Sequence, residues 1–151
     1  MGRAEMIIAI DPGNIESAYC MMDIDLKPVE FGKVKNEDLL TMLEMSTYEH
    51  KTVIEMIASY GMPVGREVFD TCVWIGRFDH ASFRPASFVY RKDVKLHICG
   101  NARAKDANIR QALIDRFGPV GTKKEKGQFY GFKADIWAAY AVGITYLELR
   151  R

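Results

Sequence analysis

The chain has 151 residues, 48% of them hydrophobic and 27% charged, with a net charge of +1, which suits a single globular domain over residues 1–151. The three cysteines, Cys20, Cys72 and Cys99, form no C-x-x-C pair, which argues against a disulfide framework or a zinc site. The apolar run near the N-terminus is too short for a signal peptide, and the longest one, at 136–147, is too short for a membrane span. We therefore expect a cytoplasmic protein with reduced thiols and no membrane partner.

The first predicted element is a buried strand that ends at an acidic residue. An apolar run, Met6–Ile10, leads directly into Asp11, Pro12 and Gly13. A continuous apolar run bounded by turn residues is typical of a strand that is buried on both faces. The proline holds Asp11 extended, and the glycine permits a sharp turn. Asp11 is then either a turn residue that caps its own loop or a carboxylate that meets a cation.

The next segments predict an antiparallel meander and a short helix. Segments 17–25 and 29–34 have the composition of strands, with a turn between them, and they would return beside the first strand. Asn36 is predicted to be the N-cap of the helix that follows. The apolar side of this helix consists of Leu39, Leu40 and Leu43.

A second carboxylate lies inside the fourth predicted strand. Segment 52–58 is apolar and largely β-branched except for Glu55. A buried carboxylate without a partner is costly, or it takes up a proton. If the strand lies at an edge of the sheet, Glu55 can face solvent. If the strand lies beside the first one, Glu55 and Asp11 share one site, where they repel each other unless a divalent cation bridges them.

Segment 65–81 predicts a helix with an unusually wide apolar surface. Its apolar positions are Val68, Phe69, Cys72, Val73, Ile75 and Phe78. This is more apolar surface than one contact with a sheet requires. The helix therefore packs between the sheet and loops, or it forms a subunit interface. A fifth short strand at 86–90 and a helical segment ending near residue 98 follow.

The C-terminal half contains a basic segment. Residues 101–133 carry eight Lys and Arg against three Asp and Glu, whereas residues 1–58 carry five against eleven. The segment comprises an amphipathic helix at 104–117 and a Lys- and Gly-rich loop at 121–133 with interleaved aromatic residues, Phe129 among them. This composition suits phosphate contacts and base stacking, with a solvated basic surface as the alternative. The candidates for these contacts are Arg103, Lys105, Lys123, Lys124, Lys126, Tyr130 and Lys133.

The last predicted helix, 134–150, is apolar on most sides and begins with a third carboxylate. Asp135 lies in its first turn, where the helix dipole favours an anion, so a role at the helix start is one interpretation. The other is a joint site with Asp11 and Glu55. Oxygen ligands without His or Cys favour Mg²⁺ or Mn²⁺.

The ordered motifs resemble those of the RuvC family of Holliday-junction resolvases over nearly the whole chain. The matching segments are Ile8–Gly13, Val53–Glu55 and Lys133–Asp135, the last of which opens an alanine-rich helix. The short, divergent form of this last motif is most similar to phage-borne members. The resemblance implies a ribonuclease H-like α/β fold, in which a five-stranded mixed sheet (an antiparallel three-strand meander plus parallel strands) is flanked by helices.

The resemblance also implies a function. It implies a homodimer that cleaves phosphodiester bonds in branched DNA (four-way junctions, flaps or forks) in a magnesium-dependent reaction, with Mn²⁺ able to substitute. The implied mechanism is two-metal hydrolysis, with Asp11, Glu55 and Asp135 as the catalytic and metal-binding residues. A catalytically silent DNA-binding relative and a phosphotransferase-type domain of the actin–hexokinase superfamily are the alternatives.

The chain departs from the family pattern in the last helix. The family has two acidic or His residues one helical turn apart there, whereas Ala138 follows Asp135 at that spacing. A fourth ligand is therefore absent, replaced by water, or supplied by Asp106 or Asp70. The family's aromatic wedge after the glutamate has a candidate only in Tyr60.

Overall fold

The computed structural model of the chain describes residues 5–45 and 50–150. Within these ranges the helices fall short of the length and apolarity needed to cross a bilayer. The strands and helices are β1 Met6–Asp11, β2 Glu16–Asp23, β3 Pro28–Lys35, α1 Asn36–Glu44, β4 Lys51–Met56, α2 Arg66–Ala81, β5 Ser87–Tyr90, α3 Arg91–Cys99, α4 Asp106–Phe117 and α5 Ala134–Leu149.

The strands form one mixed sheet in the order β3-β2-β1-β4-β5. β1, β2 and β3 are an antiparallel meander, β4 is parallel to β1, and β5 is parallel to β4. The predicted combination of a meander and parallel strands is confirmed. Because β4 lies inside the sheet, the edge-strand interpretation of Glu55 is excluded. The strand itself ends at Met56, two residues earlier than predicted.

The two faces of β1 pack against different groups of helices. Ile7 and Ala9 belong to a core that they form with α3, α4 and α5, whereas Ile8 and Ile10 belong to a core with α1 and α2. All four side chains are at most 4% exposed. The uninterrupted apolar run of β1 therefore follows from its central place between two layers of helices.

Helix α5 lies very close to the sheet. A Cβ atom added at Gly143 would lie 2.3 Å from Sδ of Met22, so the approach depends on the missing side chain. The buried Tyr140 hydroxyl donates a hydrogen bond to the backbone carbonyl of Leu26 at 2.7 Å. These contacts fix the position of the helix, and with it Asp135, about two turns before Gly143.

A carboxylate joins α3 and α4 to the end of α5. The guanidinium of Arg116 donates to both oxygens of Glu148 at 2.8 and 2.5 Å, and Nε2 of His97 lies 2.9 Å from Oε1. The hydrogen bonds from Arg116, helped by His97, lower the pKa of Glu148 to about 2. This group of three side chains stabilises the layer that carries Asp135.

Helix α2 has an apolar face that the rest of the chain does not cover. Thr71, Ile75 and Phe78 are buried, whereas Phe69 and Val73 are 60% and 62% exposed. A helix packed on all sides between sheet and loops is therefore excluded for this part of the surface. Isolated exposed apolar residues are ordinary, but two on adjacent turns of one helix form a surface suited to a partner.

The prediction that Phe129 stacks on a DNA base is wrong. Its ring is fully buried, with its centroid 4.7 Å from that of Trp137 and 5.3 Å from that of Tyr140. The loop before α5 folds back onto the helix because its large apolar rings gain more from the core than from solvent. A base cannot reach a ring that is enclosed in this way.

Candidate active site

Three parallel strands end at one edge of the sheet and bring charged side chains together there. Ile10 of β1 pairs with Ile54 of β4, so Asp11 and Glu55 are the next residues along the two neighbouring strands. On the other side, Glu55 pairs with Val89 of β5, and Arg91 follows the last residue of that strand. The carboxyl ends of parallel strands are where open α/β sheets place their ligand sites.

The first turn of α5 adds the third predicted carboxylate. Asp11, Glu55 and Asp135 line one cleft of about 510 Å³, which we call the front cleft. Its wall also includes Arg91 and residues of α4, namely Asp106, Ala107, Ile109 and Arg110. The structure therefore brings the three predicted catalytic residues together in one cleft, and it adds two arginines, Arg91 and Arg110, that the sequence analysis does not single out.

Asp11 is a strongly perturbed carboxylate. Its pKa is raised from 3.8 to about 7, first by burial and then by the neighbouring Glu55 and Asp135, while Arg91 and Lys33 oppose the shift. The free energy of ionising Asp11 is therefore high in the metal-free protein. A cation in the cleft would favour the charged form.

Glu55 is the most poorly satisfied acid in the described chain. Burial raises its pKa, and Arg91 is the chief group that lowers it. Nη1 of Arg91 lies 3.8 Å from Oε2 of Glu55, beyond hydrogen-bond distance. Among the described residues, Oε2 is a buried side-chain oxygen without a hydrogen-bond partner. A buried carboxylate oxygen in this state costs free energy unless a cation meets it.

Two cations of the protein already pair with acids at the edges of the site. Nζ of Lys33, on β3, donates to Oδ2 of Asp135 at 2.5 Å, and both side chains are about half exposed. Arg91 forms an ion pair with Asp106, at the start of α4. The pairing of Lys33 with Asp135 raises the pKa of the lysine.

The carboxylates of the front cleft fit the predicted metal in part. Across residues 5–45 and 50–150, no three His, Cys, Asp or Glu side chains are arranged to hold a metal ion as they stand. Asp11 and Glu55 fit a divalent ion in other respects, because they are neighbouring oxygen donors and one oxygen lacks a partner. Mg²⁺ commonly binds through one or two carboxylates, with water and substrate phosphate completing its shell.

The prediction that Asn36 is the N-cap of α1 is wrong. Lys35 holds the N-cap position, and Asn36 is the first residue of the helix. Its buried side chain supports the turn after Asp11 instead. The Asn36 amide donates to the carbonyl of Gly13 at 2.9 Å and accepts from Ser17 Oγ at 2.6 Å. Ser17 Oγ in turn accepts from the Gly13 backbone N–H at 3.1 Å. This closed set of hydrogen bonds fixes the backbone that presents Asp11.

The predicted basic residues lie in three places. Arg103 and Lys105 line a groove of about 530 Å³ beside α4, and Lys133 is exposed immediately before α5. A tight hairpin at 120–127 carries three exposed lysines at its tip: Lys123, Lys124 and Lys126. Tyr130 is partly buried, with Nζ of Lys126 5.3 Å from its ring centroid. The tip lysines do not line the front cleft, so any contact they make to a ligand is peripheral.

The candidates for a fourth acidic ligand differ in whether they line the front cleft. Ala138 lines the front cleft without offering a ligand, and Asp106 lines it but is paired with Arg91. Asp70 pairs with Arg66 along α2, at 3.9 Å, and does not line the cleft. Of the two acids considered, only Asp106 lies at the site.

The mixed sheet, with its carboxylates at the ends of the central parallel strands, has the ribonuclease H-like architecture predicted from the motifs. The chain is similar to Thermus thermophilus RuvC, with a TM-score of 0.70 and 15% identity over 96% of this chain and 95% of that one. It is equally similar to T. thermophilus RuvC in complex with Holliday junction substrate, with a TM-score of 0.70 and 16% identity over 97% and 95% of the two chains. No protein-family model and no curated protein matches the sequence. At this identity the likeness confirms the RuvC-like fold and not the activity.

Proposed function

We propose that this protein is a divalent-metal-dependent endonuclease that cleaves branched DNA in the manner of a Holliday-junction resolvase. One observation carries the proposal: Asp11 and Glu55 lie on neighbouring parallel strands in a RuvC-like fold, and Oε2 of Glu55 is buried without a partner. A similar structure contains T. thermophilus RuvC bound to a Holliday junction. Branched DNA is therefore the substrate class that we propose.

Magnesium is the proposed cofactor, with manganese able to substitute, and its proposed ligands are drawn from Asp11, Glu55 and Asp135. Bound there, the ion would supply a Lewis acid beside the scissile phosphate and a more acidic water. The resemblance implies two ions. The chain's own contribution is to keep two acids in a buried position and to line the cleft with Arg91 and Arg110, whose charges attract the phosphate.

DNA binding is proposed to rest on backbone contacts. Arg103 and Lys105 line the groove beside α4, Lys133 is exposed immediately before α5, and the hairpin tip adds Lys123, Lys124 and Lys126. Contacts between cations and phosphates give affinity without reading sequence, so selectivity would come from the shape of the DNA. Tyr130 and the 64%-exposed Tyr60 are the proposed stacking residues.

A homodimer through α2 is part of the proposal. Phe69 and Val73 present the exposed apolar face described above, and a two-fold dimer would hold two active sites in a symmetric arrangement that suits a four-way junction. Val73→Glu places a charge on this face and is expected to yield monomers that bind junctions weakly. Val29→Glu, which adds the same charge at a 59%-exposed valine of β3, serves as the matched control. A wild-type monomer at micromolar concentration in sedimentation would contradict the dimer.

The cytoplasmic location remains a prediction from the sequence.

The test of the function is a cleavage assay on a four-way junction, a flap and a linear duplex, with and without Mg²⁺. Metal-dependent cleavage of the branched substrates by the wild type, and none by Asp11→Asn, is the expected result. Asp38→Asn, which removes an exposed carboxylate from α1, is the matched control and should cleave normally. Junction binding without cleavage under any of these conditions would instead support the catalytically silent relative.

A further inference from the structure

We propose that the ammonium group of Lys33 takes the place of one of the two cations that the resemblance implies, so that each chain holds a single divalent ion through Asp11 and Glu55. The inference rests on the proposed function and deepens it. It concerns a residue of β3 that the sequence motifs do not include. Three observations support it: the register of the sheet, the arrangement of two clefts, and the charge of the site.

The register of the meander aims Lys33 at the site. Asp11 of β1 pairs with Ala18 of β2, and Ala18 pairs with Lys33 of β3. Residues directly opposite each other on antiparallel strands point to the same face of the sheet, so these three side chains form one row. The middle member is an alanine, which leaves space for the long lysine side chain above β2. The contact with Asp135 therefore follows from the backbone pairing of three strands.

Asp11 and Asp135 stand between two clefts. The front cleft contains Glu55 on one side of them, and a second cleft of about 390 Å³, which we call the turn cleft, contains Lys33 and the turn at 12–16 on the other. A cation could approach the two acids from either side. On the side of the turn cleft a cation is already present, with Nζ of Lys33 2.5 Å from Asp135 Oδ2.

The charges of the site balance with one ion. Asp11, Glu55 and Asp135 carry three negative charges when ionised, and one divalent ion with the Lys33 ammonium group carries three positive charges, while Asp106 and Arg91 offset each other and Arg110 is left to meet a phosphate. A second ion would need a further acid, but Ala138 lines the cleft at the spacing where the family has one, and Asp106 is paired with Arg91. The absence of a three-acid metal group among the described residues agrees with a site that offers an ion two carboxylates.

The test counts bound Mn²⁺ in the absence of DNA, by the loss of the free-ion signal in electron paramagnetic resonance. We expect one ion per chain in the wild type and in Lys33→Arg, which keeps the charge. Lys33→Met frees Asp135, which becomes the further acid that a second ion needs, and removes a repelling charge, so it should bind a second ion and bind the first about tenfold more tightly. Lys35→Met removes another exposed lysine from the same strand, and it should behave as the wild type. Melting curves check that each variant is folded.

Different failures of this experiment have different meanings. Two ions per wild-type chain, or an unchanged count and affinity in Lys33→Met, would overturn the role of Lys33 and leave a metal-dependent nuclease intact. A wild type and a Lys33→Met variant that both bind no Mn²⁺ would overturn the inference together with the proposed function. A second ion that appears in Lys33→Met and not in Lys33→Arg would show that the ammonium charge occupies the place of an ion.

Discussion

Glu148 and Asp11 are both shielded from solvent by the same layer of helices, yet their pKa values move in opposite directions. Glu148 accepts hydrogen bonds from Arg116 and is paired with His97, and its pKa falls to about 2. Asp11 lies beside two other acids in a buried position, and its pKa rises to about 7. The first group of charges holds helices together. The second stores unfavourable electrostatic energy, which a ligand of positive charge would relieve.

The comparison implies that these two kinds of acid respond oppositely to neutralisation. Removing the charge of a satisfied carboxylate leaves its partners unpaired, whereas removing the charge of a crowded one relieves repulsion. Stability and activity should therefore separate between the two regions. The predictions below test this separation, beginning with the largest effect.

Asp11→Asn should lower cleavage by about a thousandfold or more, because the proposed ion loses a ligand. Glu55→Gln and Asp135→Asn should act in the same direction. The stability of the metal-free protein should stay level or rise in Asp11→Asn and Glu55→Gln, since each substitution removes one charge from a crowded group. Cleavage assays and melting in EDTA measure the two effects. A Glu55→Gln protein that melts much earlier and cleaves normally would make Glu55 a structural residue.

Asn36→Leu should affect both properties, because Asn36 supports the Asp11 turn from inside the core. Loss of its amide leaves the Ser17 hydroxyl without an acceptor and the Gly13 carbonyl without this donor, at a cost of about 1–3 kcal/mol. Cleavage per folded molecule should fall as well, since the backbone that presents Asp11 becomes less ordered. Asn108→Leu is the control. The Asn108 side chain accepts an exposed hydrogen bond from the backbone N–H of Lys105, at the start of α4 and far in sequence from the Asp11 turn. Normal cleavage by folded Asn36→Leu would separate this network from the site.

The fold was more predictable from the sequence than the site was. The strand ending at Asp11 and the carboxylate at Glu55 are local signals, because a continuous apolar run and a single acid within it can be seen in a short window. Asn36 was misjudged because residue type favours a cap, while its actual partners lie 19 and 23 residues away. A buried polar group takes whichever partners the tertiary structure supplies, and no helix-capping rule contains that information.

Lys33 and Arg91 were missed for different reasons. Arg91 directly follows a short strand, and a basic residue at the end of a parallel strand was a usable signal. Lys33 depends on the register of two hairpins, and the pairing of β2 with β3 shifts between Met21 and Met22. Counting residues back from the turn would therefore have given the wrong neighbour, because a shift of one residue moves a side chain to the other face.

Glu148→Gln should destabilise the protein by about 1–2 kcal/mol, because two hydrogen bonds to a charged guanidinium become weaker and Arg116 is half exposed. Cleavage per folded molecule should be unchanged. Glu55→Gln is the matched comparison, since the same chemical change is expected to have the opposite effect on stability. Urea denaturation in EDTA measures both. Equal destabilisation by the two substitutions would remove the distinction between satisfied and crowded acids.

The dependence of stability on pH should show the same contrast. The pKa of Glu148 in the folded protein lies below its ordinary 4.5, so its contribution is complete above pH 4.5 and is lost as the pH falls towards about 2. The pKa of Asp11 lies above its ordinary 3.8, so the metal-free protein loses stability as the pH rises from 3.8 towards about 7. The advantage of wild type over Glu148→Gln should therefore grow as the pH rises from about 2 to 4.5. The advantage of Asp11→Asn over wild type should grow across the second, and saturating Mg²⁺ should abolish it.

The smallest effect on the site is expected from the hairpin tip, where the lysines are neither crowded nor satisfied. Replacing Lys123, Lys124 and Lys126 with Ala should leave stability and metal binding unchanged, because all three side chains are exposed and lie outside the front cleft. If each neutralises one phosphate, the slope of log affinity against log salt should become shallower by up to about 2.7. Junction, flap and duplex should weaken alike, since phosphate contacts carry no information about sequence or branching. Lys27→Ala, at the turn between β2 and β3, is the control for an exposed lysine elsewhere. Tyr130→Ala should instead reduce the preference for branched DNA at constant salt slope, because a ring stacks on unstacked bases, which a continuous duplex does not offer. Binding titrations in EDTA at several salt concentrations distinguish these outcomes, and an unchanged slope in the triple variant would place the DNA on another surface.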